Sequence, residues 1–342
     1  VISFILALTA ASLVIVVQTR NWVYLMPLLL WPAGDALKQV NWTHATGTMS
    51  VGVVQGNVEQ NRKWLNEEIF PTIDRYQADT RPLLGNDLIL WPETAITLLY
   101  QRYQPYMELF AEELQENNST VITGIPFRWP RGTELEGEYH NSIIAFGDGE
   151  GVYHKQRLVP FGEYIPLESA IRGLIPFFDL PMSSFRAGEI DQDLLKVTVH
   201  QGDSTELALV APYICYEIAY PDLVLETAKN ADLLVTISND AWFGRSHGPA
   251  QHLQIARMRA KELGIGVIRS TNNGISAFID HRGKVVAQLP QFETAALSAT
   301  LATVSGSTPY RRWGDFPLWL LTGLIGLVFL FIKLRERSAQ NN

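Results

Sequence analysis

The chain has 342 residues, of which 47% are hydrophobic and only 18% charged, and its formal net charge is −8. Lysines and arginines are scattered without interleaved aromatics, which argues against a nucleic-acid binder. A single cysteine excludes an intrachain disulfide and a thiolate metal cluster.

Charge is missing mainly at the two ends, so the sequence reads as one globular domain bracketed by apolar segments. Val1 to Val17 is uncharged and meets the lower limit of about 17 residues for a membrane span. It has neither an initiator Met nor a basic leader and does not read as a signal peptide. It reads as the end of a longer membrane region. After the Gln18-Thr19-Arg20-Asn21 break comes a second, shorter apolar stretch, Trp22 to Gly34, whose length fits either a span or an interfacial segment, the span being favoured. Residues 35–47 read as a linker.

The catalytic domain is expected over 48–306. Strand-like runs are Met49 to Gln55, Asp87 to Trp91, Val121 to Gly124, Leu207 to Tyr213 and Asp232 to Ile237. Helical stretches lie between and after them: Trp64 to Thr80, Pro105 to Asn117, and Pro249 to Leu263, the last opened by Pro and closed at Gly264. Two hairpins are predicted. Asn141 to Phe146 pairs with Gly151 to Lys155, and Ile275 to Asp280 pairs with Lys284 to Leu289. Parallel units mixed with hairpins imply an α/β fold, a mixed sheet covered by helices.

Leu158 to Gly188 is rich in Pro, Phe, Leu and Ile without clean periodicity, and reads either as a loop packed on the domain surface or as a lid or arm that touches lipid. Phe316 to Ile332 reads as a third span. Trp313, Phe316 and Trp319 stand at its start, and Lys333, Arg335 and Arg337 follow in a cytoplasmic tail, 333–342. Arg20 lies on the same side by the same rule, which puts the middle domain outside the inner membrane.

Three polar groups follow strand-like runs. Glu93 follows Leu-Ile-Leu-Trp-Pro, Lys155 follows Val-Tyr-His, and Cys215 follows Ala-Pro-Tyr-Ile. Taken singly, such a cysteine is a buried core residue, such a glutamate a cap and such a lysine a surface charge. Together they make an acyl-transfer set that needs no metal or cofactor. A carboxylate takes the thiol proton, and an ammonium steadies the thiolate and then the tetrahedral oxyanion. The seven histidines show no metal-ligand spacing.

The contexts are specific: Trp-Pro-Glu-Thr at Trp91 to Thr94, His-Lys-Gln-Arg-Leu-Val-Pro-Phe-Gly-Glu-Tyr at His154 to Tyr164, and Ile-Cys-Tyr-Glu at Ile214 to Glu217. In that order they resemble the Glu-Lys-Cys triad of the nitrilase (carbon–nitrogen hydrolase) superfamily. Pro-Phe-Gly-Glu-Tyr-Ile-Pro, Ser-Asn-Asp-Ala-Trp-Phe-Gly at Ser238 to Gly244, and the apolar ends are similar to the apolipoprotein N-acyltransferases within it. The resemblance implies a nitrilase-like αββα sandwich flanked by transmembrane helices. It implies Glu93 as general base, Lys155 as oxyanion stabiliser and Cys215 as nucleophile. Glu163 matches a supporting glutamate. Tyr216 and Glu217 follow the nucleophile as in the family, and Glu217 is equally readable as a structural hydrogen-bond acceptor. Asn239 and Trp242 either line the pocket or pack beneath it.

The implied reaction moves an acyl chain from a phospholipid donor, through a thioester, to the amine of a diacylated apolipoprotein acceptor. The implied setting is a monomer in the bilayer. Two other readings use the same residues: a membrane-tethered amidase that hydrolyses a soluble amide, and a non-catalytic scaffold.

Overall fold

The computed structural model describes residues 2–133, 135–164, 185–202 and 204–340. The expected arm falls largely on 165–184, outside the described residues. The chain divides into two units, Val1–His44 and Ala45–Asn342.

In the first unit, α1 runs Ile2–Thr19, a 3-10 helix Trp22–Leu29, and α2 Leu30–Leu37. The Asn21 side chain caps the 3-10 helix by accepting from the Val23 amide at 3.0 Å. Pro27 lies inside it and lacks the N–H that an α-helical bond would use. The Trp31 indole N–H donates to Thr9 Oγ1 at 3.0 Å, tying α2 to α1. Eighteen residues give α1 a rise of about 27 Å. The 3-10 helix and α2 together rise about 28 Å.

The second unit is built on twelve strands: β1 Thr43–Gln55, β2 Leu88–Leu90, β3 Thr120–Arg128, β4 Tyr139–Gly147, β5 Gly149–His154, β6 Leu195–Gln201, β7 Ser204–Ile214, β8 Leu233–Ser238, β9 Val267–Thr271, β10 Ala277–Ile279, β11 Val285–Gln288 and β12 Ala295–Gly306. Its helices are α3 Asn66–Thr80, α4 Tyr100–Glu116, α5 Pro221–Thr227, α6 Gly248–Leu263, α7 Pro309–Trp313 and α8 Phe316–Gln340. The strand order is β11-β10-β9-β8-β7-β6-β5-β4-β3-β2-β1-β12. Strands β1, β2 and β3 run parallel, as do β7, β8 and β9. The pairs β3–β4, β4–β5, β9–β10 and β10–β11 are antiparallel.

The burial pattern shows how this ribbon folds over. Val51, Val53, Leu88, Leu90, Ile122 and Ile143 share one apolar cluster with Val210, Ile214, Val235, Ile237, Ile268 and Phe278. The first six come from β1 to β4 and the others from β7 to β10, so two half-sheets face each other across this core. Alternate residues point the other way. Ile89, Val121 and Ile144 meet Ile73, Tyr76, Phe110 and Leu114 of α3 and α4. Ala211, Tyr213, Leu234 and Val267 meet Val224 of α5 and Ala256 and Ala260 of α6. The layers are therefore helix, sheet, sheet, helix, the expected αββα sandwich. Strands covered on both faces read as unbroken apolar runs for this reason.

Both expected hairpins form, with Ile143 opposite Tyr153 and Ala277 opposite Gln288, and the register of the second shifts between Phe278 and Ile279. Helix α6 carries Pro249 in its first turn and ends at Gly264, whose φ of 69° only glycine adopts cheaply. The expected helix start at Pro105 is corrected to Tyr100: Pro105 lies inside α4, where its missing N–H costs a single bond. Strands β6, β9 and β12 were not among the expected runs.

Helix α8 has an apolar 20-residue window, Phe316–Arg335, that is long enough to cross a bilayer and is not buried by the rest of the chain. Ile2–Thr19 is the other such helix among the described residues.

Candidate active site

The site forms where strands end. Trp91-Pro92-Glu93 leaves the carboxyl end of β2, Cys215 follows β7, Asn239 follows β8, and Lys155 follows β5. The carboxyl ends of parallel strands are where such folds open a crevice. Cys215 begins a 3-10 helix, Cys215–Ala219, with φ at +54°. A non-glycine residue in that region stores about 1–3 kcal/mol of strain and presents its side chain at a sharp strand-to-helix turn. Thr94, just after Glu93, is also left-handed, with φ at +49°.

Glu93 is buried and held at several points. Its Oε1 accepts from Asn141 Nδ2 at 2.8 Å and lies 3.7 Å from Lys155 Nζ. Its Oε2 accepts from the backbone N–H of Asn239 at 2.9 Å, a bond that joins the two half-sheets at the site. Its carbonyl accepts from Lys63 Nζ at 3.1 Å. Lys63 is itself buried, and burial pulls its ammonium down to about 8, against the opposing pull of Glu93.

Lys155 is almost fully enclosed. It donates to Glu163 Oε1 at 2.8 Å. Asn141 Nδ2 also donates to that Glu163 oxygen, at 2.9 Å, while the Val159 amide donates to Oε2 at 2.8 Å. Burial works against the Lys155 charge, but Glu93 and Glu163 outweigh it and hold the ammonium well above its ordinary range. Cys215 adds to that pull, so thiol and ammonium lie within electrostatic reach.

Cys215 as a residue is half-buried. Burial and then Glu93 push it up to about 12, while Lys155 and a hydrogen bond with Ser238 act in the opposite sense. A thiol in this setting keeps its proton at neutral pH, so a base must remove it as attack proceeds. Glu93 is the carboxylate that bears on it most strongly.

Glu217 is fully buried and staples the site together. Its Oε1 accepts from Tyr153 OH at 3.0 Å and from the amides of Gln156 and Arg157 at 2.6 and 3.0 Å, while Oε2 accepts from the Ile214 amide at 2.8 Å. It thereby fixes the chain on either side of Lys155 to the turn that carries Cys215. The acceptor reading of Glu217 describes its place.

Asn239 has its side chain on Gln60 at 2.7 Å and Asn272 at 3.2 Å. Tyr216 is 49% exposed and packs edge-on against Tyr220. Trp242, on the 3-10 helix Asp240–Phe243, is 77% exposed. Neither aromatic is packed beneath the triad. Sequence reasoning missed Asn141, Lys63 and Ser238. The only signal for Asn141 was its place at the start of a strand paired with the one before Lys155. Among the described residues no group of three or more His, Cys, Asp or Glu could hold a metal ion.

The carbon-nitrogen hydrolase family model matches residues 50–310. An apolipoprotein N-acyltransferase of Pseudomonas aeruginosa (strain LESB58) is 42% identical over 339 residues, covering 97% of this chain and 64% of the relative. One from Azotobacter vinelandii is 43% identical over 345 residues, covering 98% of this chain and 64% of the relative. The chain thus spans just under two thirds of the length of these curated relatives. Among solved structures, a carbon-nitrogen hydrolase from Helicobacter pylori matches with a TM-score of 0.52 at 17% identity, over 76% of this chain and 90% of that one. Saccharomyces cerevisiae Nit3, of the nitrilase superfamily, matches with a TM-score of 0.51 at 18% identity, over 75% and 91%. At these identities the likeness shows a shared fold.

Proposed function

The chain belongs to the carbon–nitrogen hydrolase family, and on that premise we propose that it is an N-acyltransferase. It moves a fatty acyl chain from a glycerophospholipid, through a thioester on Cys215, to the N-terminal amine of a diacylglyceryl-cysteine apolipoprotein. The single observation that carries this reading is the convergence of Glu93, Lys155 and the lone Cys215 from distant parts of the chain. The acceptor class comes from the relatives that align over nearly the whole chain.

The chemistry follows from the placement. Glu93 takes the thiol proton as the sulfur attacks the ester carbonyl carbon, and Lys155 faces the oxyanion that forms. The C–O bond breaks, the lysolipid alkoxide takes the proton from Glu93, and the acyl chain remains on sulfur. The amine of the second substrate then attacks the thioester. Glu93 accepts the amine proton and returns it to the departing sulfur. Two bulky substrates use one pocket in turn, so ping-pong kinetics are expected.

Both substrates are lipid-anchored, which gives α1 and α8 a purpose as bilayer spans. Arg20, Lys333, Arg335 and Arg337 then mark the cytoplasmic side, and the domain works on the outer face of the inner membrane.

The test is mass spectrometry of the chain after incubation with phospholipid. An acyl adduct is expected on Cys215 that persists until a diacylated peptide amine is supplied, and none is expected in Cys215→Ala. No adduct, or rapid release of free fatty acid without an amine, would sink the transferase reading. The second outcome would point to a hydrolase.

A further inference from the structure

Beneath Cys215 lies a buried polar cluster that the reaction as described does not use. Ser238, the last residue of β8, has its hydroxyl oxygen 3.5 Å from Cys215 Sγ and 2.7 Å from Asp240 Oδ1. Asp240 is in turn fixed by Arg269 Nη2, which donates to Oδ2 at 2.7 Å, and by His252, whose Nδ1 lies 3.2 Å from Oδ1. The other nitrogen of His252 is 3.0 Å from the Cys215 carbonyl, so the cluster holds both ends of the strained residue. Ser238, Asp240, His252 and Arg269 are all buried. Arg269 and then His252 outweigh the burial penalty and hold the Asp240 carboxyl well below its ordinary range, so it is an acceptor only.

The hydroxyl has one proton and two acceptors within reach. While Cys215 is a thiol, its S–H can donate to the Ser238 oxygen, and the Ser238 proton is best placed on the Asp240 carboxylate. A thiolate can only accept. Asp240 keeps Arg269 on Oδ2 and His252 beside Oδ1, so it can release the hydroxyl proton.

We propose that Ser238 is a further catalytic group, a hydroxyl that turns its proton from Asp240 to the Cys215 sulfur when that sulfur becomes a thiolate, with Asp240, Arg269 and His252 as its positioning residues. No covalent bond to Ser238 breaks. The thiol proton goes to Glu93, and the serine O–H only rotates. The same donor serves the sulfur again when the amine expels it from the thioester. This role rests on Cys215 being the nucleophile.

The test is the rate of Cys215 alkylation by iodoacetamide between about pH 7 and pH 9, well below the thiol's own titration, in the full chain in detergent. It is run on the wild type, Ser238→Ala and Ser238→Thr, each with a thermal melt. A hydrogen bond to the charged form lowers a pKa. Ser238→Ala is therefore expected to alkylate roughly tenfold more slowly at each pH, the equivalent of about one pH unit. Ser238→Thr restores the hydroxyl and should return the rate toward the wild type. A purely structural serine would lower the melt and leave the rate in place. An unchanged rate in a folded Ser238→Ala, or a Thr variant that melts like the wild type yet keeps the alanine rate, overturns the proposal. A wild type that forms no acyl adduct on Cys215 defeats the transferase reading instead, whatever Ser238 does.

Discussion

Lys155 is the charge on which the site's electrostatics turn. Its side chain is 1% exposed, and an ammonium buried so deeply costs several kcal/mol unless paired. Glu163 at 2.8 Å and Glu93 at 3.7 Å provide the pairing. Removing it in Lys155→Ala leaves the buried Glu93 and the half-buried Glu163 drawn together by the Asn141 amide, with no cation between them. The expected cost is about 3–5 kcal/mol in a denaturant melt. Thioester formation should fall by roughly 10²–10³-fold with loss of the oxyanion donor. Lys155→Arg should not restore it, because a planar guanidinium does not replace the compact ammonium set between Glu93 and Glu163. A melt and rate like the wild type would refute the role given to Lys155. Glu93, Lys155 and Cys215 were legible in the sequence because each stands in a distinctive run at the end of a strand, and Glu163, in a turn after β5, only through the family resemblance of its run. Asn141, Lys63 and Ser238 were not. Their importance arises from contacts across the fold, such as the 48-residue separation of Asn141 from Glu93; Ser238 opens a family-like run and Asn141 a hairpin strand, but neither position states a contact with the site. The exposed side chains of Tyr216 and Trp242 show the converse, since a motif fixes a residue's place in the chain and not its neighbours.

At the level of elements, the site depends on how closely β3 approaches the turn after β2. Gly124 lies where a β-carbon would meet the Thr94 amide nitrogen, the Glu93 Cα at 2.8 Å and Ile237 Cδ1 at 2.9 Å. Two of these are backbone atoms, which cannot rotate away. Gly124→Ala should therefore displace Glu93 as well as strain the core, at about 1–3 kcal/mol of stability. A shift of about 1 Å in a reacting group costs on the order of 10²-fold in rate, so thioester formation should suffer more than the melt does. Equal rates in the variant and the wild type would show that the turn accommodates a methyl group. The same closeness explains what the sequence revealed of the elements. Helix α6 was legible from its Pro and Gly brackets, and β2 and β8 from apolar runs covered on both sides. Strand β9 was hidden because Arg269 interrupts Val267-Ile-Arg-Ser-Thr, and that arginine is inside to pair with Asp240. Strand β12 was hidden because its small residues lie mostly half-buried at the edge of the sheet beside β1.

At the scale of the molecule, the order of strands was not readable, since β12 joins β1 across nearly the whole domain and β5 meets β6 across the stretch that holds the expected arm. What was readable from the residues was a mixed sheet covered by helices, because double-sided burial leaves its mark on composition, whereas the four-layer αββα arrangement came from the family resemblance. That burial has a consequence for pH. Tyr76, Tyr103, Tyr153 and Tyr213 are enclosed in the cores, and burial raises each above the ordinary 10.0, Tyr103 to about 12. Cys215 rises from 9.0 to about 12. A group whose folded value is raised gives stability that is whole below its unfolded value and is lost as pH climbs toward the folded one. Lys63 works the other way. Burial lowers it from 10.5 to about 8, so over that interval the unfolded chain holds more protons and stability rises with pH. Between about pH 9 and pH 10 the thiol and Lys63 nearly cancel. Above about pH 10 the four tyrosines join the thiol while the Lys63 contribution saturates, and the balance turns sharply downward. The melting temperature of the chain in detergent should therefore rise slightly between about pH 8 and pH 9, where Lys63 acts alone, hold nearly level to about pH 10 and fall steeply beyond it. Tyr103→Phe, which removes one of the raised groups, should make that fall shallower. A melting temperature that declines evenly from neutral pH, or that Tyr103→Phe leaves equally steep, would mean that these hydroxyls are not sealed from water.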